Sequence, residues 1–251
     1  MLALPYSPWV PDLLPFLRVF AGPGRYLVWL IVSAQVVWAA MGTGRGPRLV
    51  VRLRAMKPGR AFLLAWIVSA SVYAGAALLL APTGLYPGGD EPHYLILAQS
   101  LWTDHDLAIE NNHARLNQSA YLGPEPLEPH ALARGVDGRL YSVHPVGLPI
   151  LLAPVMGLAG YRGVVAVLIA LAAAAAATAW VWVRRLTGSV AAATFGWAAA
   201  GLSLSYVCGS GLVYPETAAG LAILTALAVG LREHEPSSTE SGDARAFGEP
   251  W

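Results

Sequence analysis

Residues 86–102, YPGGDEPHYLILAQSLW, place two adjacent carboxylates, Asp90 and Glu91, at the head of a helix-forming segment that directly follows a long apolar run. Two glycines precede the pair, and His93 and Tyr94 follow it. Acids are favoured near a helix N-terminus and proline suits the first turn, so capping accounts for Pro92 and one acid. The second acid asks for another role. A carboxylate at the membrane face suits general-base chemistry on a lipid-borne substrate.

Two later stretches carry matching chemistry. YSVHPVGLP, residues 141–149, sets His144 just ahead of a second apolar segment, and VYPETAAG, residues 213–220, sets Glu216 at the end of an apolar helix. An ionisable group in or beside a membrane span is a functional candidate by default. Asp90, Glu91, His144 and Glu216 are therefore expected to meet at one site, with His93 and Tyr94 lining it for substrate. Glu91, His144 or another histidine of this region could hold a divalent metal, although the spacing fits no compact metal-site pattern.

The elements that must position these groups are mostly apolar. Of 251 residues, 56% are hydrophobic and 12% charged, against about 25% charged in ordinary soluble domains. Several apolar runs approach the roughly 20 residues that cross a bilayer, so the chain reads as an integral membrane protein. The one cysteine, Cys208, excludes an intramolecular disulfide or a cysteine-rich metal site.

Residues 26–42 make a short span. The segment 45–60 then carries Arg45, Arg48, Arg52, Arg54, Lys57 and Arg60 without an acid, which places it in the cytoplasm. Residues 61–82 are the clearest span, and 83–162 form an outer block. Within it, residues 83–147 hold eight of the fifteen acids, three arginines (Arg115, Arg134, Arg139) and five of the six histidines: His93, His105, His113, His130 and His144.

After Pro92, residues Tyr94, Leu97, Ala98, Leu101 and Trp102 form an apolar stripe suited to a helix lying on the membrane surface. Residues 148–160 are too short to cross and are broken by Pro149 and Pro154, so a second surface or re-entrant helix is expected there. Residues 163–183 span, with Trp180 and Trp182 as an interfacial belt and Arg184-Arg185 at the cytoplasmic end. The alanines 172–177 suit close helix packing. Residues 190–208 return outward and 215–231 go back, closing at Arg232; the polar tail 233–251 is expected to be disordered. The division is thus an N-terminal helix and basic loop (1–60), a transmembrane core (61–232) and a tail (233–251). The fold class expected is all-α: a polytopic transmembrane bundle with a large extracytoplasmic first loop containing juxtamembrane helices.

The order of a span, GDEPHYL, an outer loop, YSVHPVGLPILLAP, a helix ending in arginines and a later helix opening on an acid resembles the GT-C membrane glycosyltransferases. The protein O-mannosyltransferases and the bacterial aminoarabinose transferase of lipid A are nearest in pattern. The resemblance covers residues 61–232. It implies that Asp90 is the catalytic acid of the pair, that Glu91 supports it, that His144-Pro145 is the His-Pro segment and that Glu216 is the later acid. Val146 departs from the usual second proline, and family members continue through further helices that contact the donor.

The resemblance further implies a polyprenyl-phosphate-linked sugar donor, a lipid, glycan or protein acceptor, and membrane lipids as surroundings. The setting it implies is a bacterial inner (cell) membrane with the site on the extracytoplasmic face. No nucleic-acid partner and no definite cofactor are expected beyond a possible divalent ion. Arg115, Arg134 and Arg139 are candidates for the donor phosphate. A non-catalytic subunit that binds lipid-linked sugar is the alternative. A transporter would need polar groups inside the spans, and residues 163–183 offer only Thr178 besides the terminal tryptophans.

Overall fold

The computed structural model describes residues 46–80, 87–123, 125–131 and 135–233, besides the isolated Leu13. The expected span at 26–42 and the tail 234–251 lie outside them. The described chain is helical, with two isolated β-bridges and no strand. In order the elements are α1 (Gly46–Ala55), α2 (Pro58–Leu80), α3 (Glu91–Thr103), α4 (Glu110–Ala114), a 3₁₀ turn (Asn117–Ala120), α5 (Gly147–Thr187), α6 (Val190–Gly201), α7 (Leu204–Gly209) and α8 (Pro215–Glu233).

Two of these helices, α2 and α5, are long and apolar enough to cross a membrane. Helix α2 has apolar residues all round, and Leu63, Leu64, Ile67, Val68, Leu78 and Leu79 remain exposed along it. A run of that kind calls for apolar surroundings.

The 41-residue α5 is the hub against which α2, α3, α6 and α8 pack. Its lower half is lined by Ala172, Ala173 and Ala176, which join Ile169, Tyr73 of α2 and Val207 of α7 in one buried cluster. Small side chains let the helix axes approach, and the aromatic groups around them find backbone partners. Tyr73 donates to the Gly201 carbonyl at 2.9 Å, Trp66 to Ala170 at 3.0 Å and Tyr206 to Ala172 at 3.1 Å.

Four expectations are corrected. Residues 190–208 do not form one span: the helix stops at Gly201, and Ser203 caps a second, six-residue helix by accepting from the Tyr206 N–H at 3.3 Å. The 12 residues of α6 reach roughly 18 Å, short of a bilayer core of roughly 30 Å.

Pro149 and Pro154 do not break residues 148–160. Pro149 lies in the first turn of α5, where no intrahelical N–H is needed, and the helix continues past Pro154. The break comes at Gly160, with φ 62° and ψ −164°. That backbone conformation is essentially open to glycine alone. A Cβ at Gly163 would lie 2.4 Å from the Ala159 Cβ, so a second glycine lets the chain close on itself after the break.

Helix α3 does not bury a single apolar stripe. Residues Glu91 through Ala98 and Ser100 are all buried, because α5 covers one side and the loop region 107–140 the other. Finally, Trp180 is buried against Val181, Val190 and Ala193 rather than belonging to an interfacial belt; its indole donates to Thr194 Oγ1 at 3.2 Å.

Charge is segregated along the bundle. Arg184 donates to the Leu53 and Met56 carbonyls at 2.8 and 3.0 Å, which fixes the C-terminal end of α5 against the end of α1. Arg52, Arg54, Lys57, Arg60, Arg184 and Arg185 thus gather at one end. The loop acids and histidines gather at the other, where the first half of α5 holds α3.

Candidate functional site

The site is built around the first turn of α3. Gly89 has φ +58°, and a Cβ there would stand 2.8 Å from the Tyr214 hydroxyl. The tyrosine donates to the Gly88 carbonyl at 3.3 Å, so the glycine turn and the segment leading into α8 sit back to back.

Glu91 completes that joint. Its Oε1 accepts from the Gly88 N–H at 3.1 Å and its Oε2 from the buried Val213 N–H at 2.8 Å. Tyr121 adds a bond from its hydroxyl to the Pro92 carbonyl at 3.2 Å.

The two adjacent acids therefore divide the work. Glu91 is buried and holds backbone together. Asp90 occupies the N-cap position, yet its carboxylate makes no capping hydrogen bond. The side chain stays half-exposed, with Oδ1 at 3.5 Å from His130 Nδ1 and 4.0 Å from His144 Nε2. Neither acid caps the helix: Glu91 ties the glycine turn to the segment before α8, and Asp90 is left available to a ligand.

Three imidazoles gather beside Asp90. His93, buried in the first turn of α3, stacks on His130 at 3.8 Å between ring centroids and on His144 at 5.4 Å, with the planes within 18° of parallel in both cases. His144 is buried, packs on the Tyr94 ring at 4.9 Å, and leaves its Nε2 without a hydrogen-bond partner. Each of the three offers one ring nitrogen, and these nitrogens lie within 4.8 Å of one another.

His130 is brought in by a short antiparallel contact. Ala131 bridges Ser142, and the Val143 N–H donates to the His130 carbonyl at 3.0 Å. His113 anchors the same segment through Nδ1, 2.9 Å from the Leu127 carbonyl.

Burial sets the electrostatics. It pushes His93 down to about 4, with the neighbouring His130, His144 and His113 adding to the effect and Asp90 partly opposing it. His144 is lowered by burial as well, against the pull of Asp90. The Tyr94 phenol is raised, first by burial and then by the negative charge of Asp90 and Glu216 and by Tyr214, so it stays a protonated donor.

Glu216 is exposed in the first turn of α8, two residues beyond Tyr214, whose hydroxyl bonds the Gly88 carbonyl ahead of Asp90.

Of the residues singled out in the sequence, the structure brings Asp90, His93, Tyr94 and His144 into one cluster and sets Glu216 on its α8 side. Of the two named candidates for a metal ligand, His144 belongs to the imidazole group. Glu91 does not, because both its oxygens face backbone donors. Arg115 and Arg139 are bound to loop acids, Asp104 and Asp106, each at 3.0 Å. Arg134 lies outside the described residues.

Sequence reasoning did not single out His130. No local motif joins positions 93, 130 and 144; the usable signal was the crowding of five histidines into one loop region.

No protein-family model, curated protein or solved structure matches the chain. What the site can do follows from its own chemistry: an accessible carboxylate to accept a proton, a phenol to donate, and three imidazole nitrogens within 4.8 Å of one another.

Proposed function

We propose that the protein is an integral membrane glycosyltransferase of the GT-C type. In this reading it sits in a bacterial inner membrane with the Asp90 site on the extracytoplasmic face, and Asp90 is the general base. The observation that carries the reading is the Asp90 carboxylate itself. It is half-exposed at a helix start, free of capping duty, and flanked by Tyr94 and His144 at the end of the bundle opposite the arginines. The exposed apolar run on α2 and the gathering of basic residues at the far end support the membrane setting and its orientation.

In the proposed reaction an acceptor hydroxyl gives its proton to Asp90 while its oxygen bonds to the anomeric carbon of the donor sugar. The bond from that carbon to the phosphate oxygen breaks, and polyprenyl phosphate leaves with the bonding electrons. General-base assistance contributes about 10²–10⁴-fold. In this reading Tyr94 and Glu216 serve as sugar-contacting groups.

One observation favours a second reading, a subunit that binds lipid-linked sugar without transferring it. Both described loop arginines that could neutralise a leaving phosphate are already ion-paired. Membranes containing the full-length protein, assayed against a panel of polyprenyl-phosphate sugars, separate the two. Transfer that falls at least about 100-fold in Asp90→Asn, with membrane insertion unchanged, supports the enzyme. Transfer that persists in Asp90→Asn overturns the role given to Asp90; donor binding without transfer supports the subunit.

A further inference from the structure

We propose that His93, His130 and His144 form a binding site for one divalent transition-metal ion of the zinc class, with an open position toward Asp90. The three residues come from separate parts of the chain: the first turn of α3, the segment 125–131, and the approach to α5. Their ring nitrogens nonetheless lie within 4.8 Å of one another.

The second observation is His144 Nε2. It is buried, without a hydrogen-bond partner, and 4.0 Å from Asp90 Oδ1. Packing alone is a poor account of this cluster. Stacked imidazoles fill space no better than apolar side chains, and a buried nitrogen with no hydrogen-bond partner is destabilising. An ion bound by three nitrogens removes that cost.

The donor set selects the ion. Imidazole suits zinc, copper, iron and nickel, whereas magnesium and calcium take oxygen ligands. Three protein ligands with a fourth position open is the arrangement of catalytic rather than structural zinc sites. The fourth position here borders the Asp90 carboxylate and would take a water or an anionic oxygen.

Tetrahedral zinc holds its nitrogens roughly 3.4 Å apart and lies in the plane of each ring, so the His130 ring must swing out of its stack on His93 to turn its nitrogen toward the ion. His130 is the one free to do so, since its side chain is 51% exposed. Its backbone stays fixed, through the bond from the Val143 N–H to its carbonyl and the bond from His113 to Leu127.

The inference does not depend on glycosyl transfer, because binding is read directly. The full-length protein, purified in detergent through a tag free of histidine and stripped with a chelator, is titrated with Co²⁺ and followed by its ligand-field absorption. The expected result is saturation at one Co²⁺ per chain, displacement by Zn²⁺ but not by equimolar Mg²⁺, and affinity lowered more than about 100-fold in His144→Gln and in His130→Gln. The control His105→Gln, outside the cluster, binds as the parent does.

His130→Gln changes an exposed ring and keeps the test sound should His144→Gln fail to fold. No saturable Co²⁺ binding, displacement by Mg²⁺, or unchanged affinity in His130→Gln overturns the proposal. Metal binding without sugar transfer would leave it standing while counting against the enzymatic reading.

Discussion

Replacing Glu91 by glutamine tests the division of labour between the two adjacent acids. The wild-type carboxylate accepts one backbone N–H on each oxygen, at 3.1 Å from Gly88 and 2.8 Å from Val213. Glutamine keeps one oxygen and turns an NH₂ group toward the other donor, so one bond is lost and two donors face each other. A hydrogen bond to a charged group contributes about 1.5–3 kcal/mol, and a buried unpaired N–H costs about 1–3 kcal/mol. Neutralising a buried carboxylate recovers part of its desolvation penalty. The net expectation is therefore at the low end, about 2 kcal/mol, or roughly 4–8 °C in unfolding temperature for a chain of this size. Thermal unfolding in detergent at a fixed scan rate, followed by tryptophan fluorescence, measures it. Asp90→Asn serves as the contrast: its carboxylate makes no capping bond, so its unfolding temperature should stay near the parent's, within about 0.5 kcal/mol. Glu91→Gln unfolding together with wild type, or Asp90→Asn falling as far, would refute the assignment of Glu91 as the joint and Asp90 as the free group.

Two further outcomes follow from local structure. Burial holds His93 at about 4 against an ordinary value of 6.5, so folding excludes a proton that the unfolded chain accepts. Stability of the metal-stripped protein should be full above pH 6.5 and fall as the pH drops toward 4, His93 alone accounting for about 3 kcal/mol; unfolding curves flat across that window would contradict it. Gly160→Ala forces a Cβ into a conformation reserved for glycine, so it should cost about 1–3 kcal/mol. A lower unfolding temperature with unchanged expression checks this, and an unchanged temperature would mean the helix straightens at no cost.

Much of the bundle was legible in the sequence because its signals are local. The apolar length of residues 61–82 and 163–183, the arginine pair, the small alanines and the helix start at Asp90-Glu91-Pro92 each declare themselves within one window. The break inside 148–183 was legible in place but not in cause. Prolines drew attention, whereas one glycine at positive φ makes the turn. Helix α3 was misjudged because a stripe at Tyr94, Leu97, Leu101 reads the same whether the opposite face meets water or protein. Only the fold shows that the loop region 107–140 covers Leu97 and Ile96. The roles of the two acids were likewise hidden, since Glu91 finds its partner at Val213, beyond the reach of any motif. His130 was hidden for the same reason.

The Glu91–Val213 bond joins residues 122 positions apart in the chain, and that separation governs the order of assembly. During synthesis the turn that carries Asp90 emerges long before the segment that secures it. Until residue 213 arrives, Glu91 is a carboxylate in an apolar setting without its second partner, and the first turn of α3 has no firm seat. The site is thus finished late, when α8 docks and this long-range contact closes. Any lesion that delays the docking of α8 would leave a helical chain of nearly correct content whose exposed carboxylate is in the wrong place, a defect of the site that secondary-structure measurements would not register.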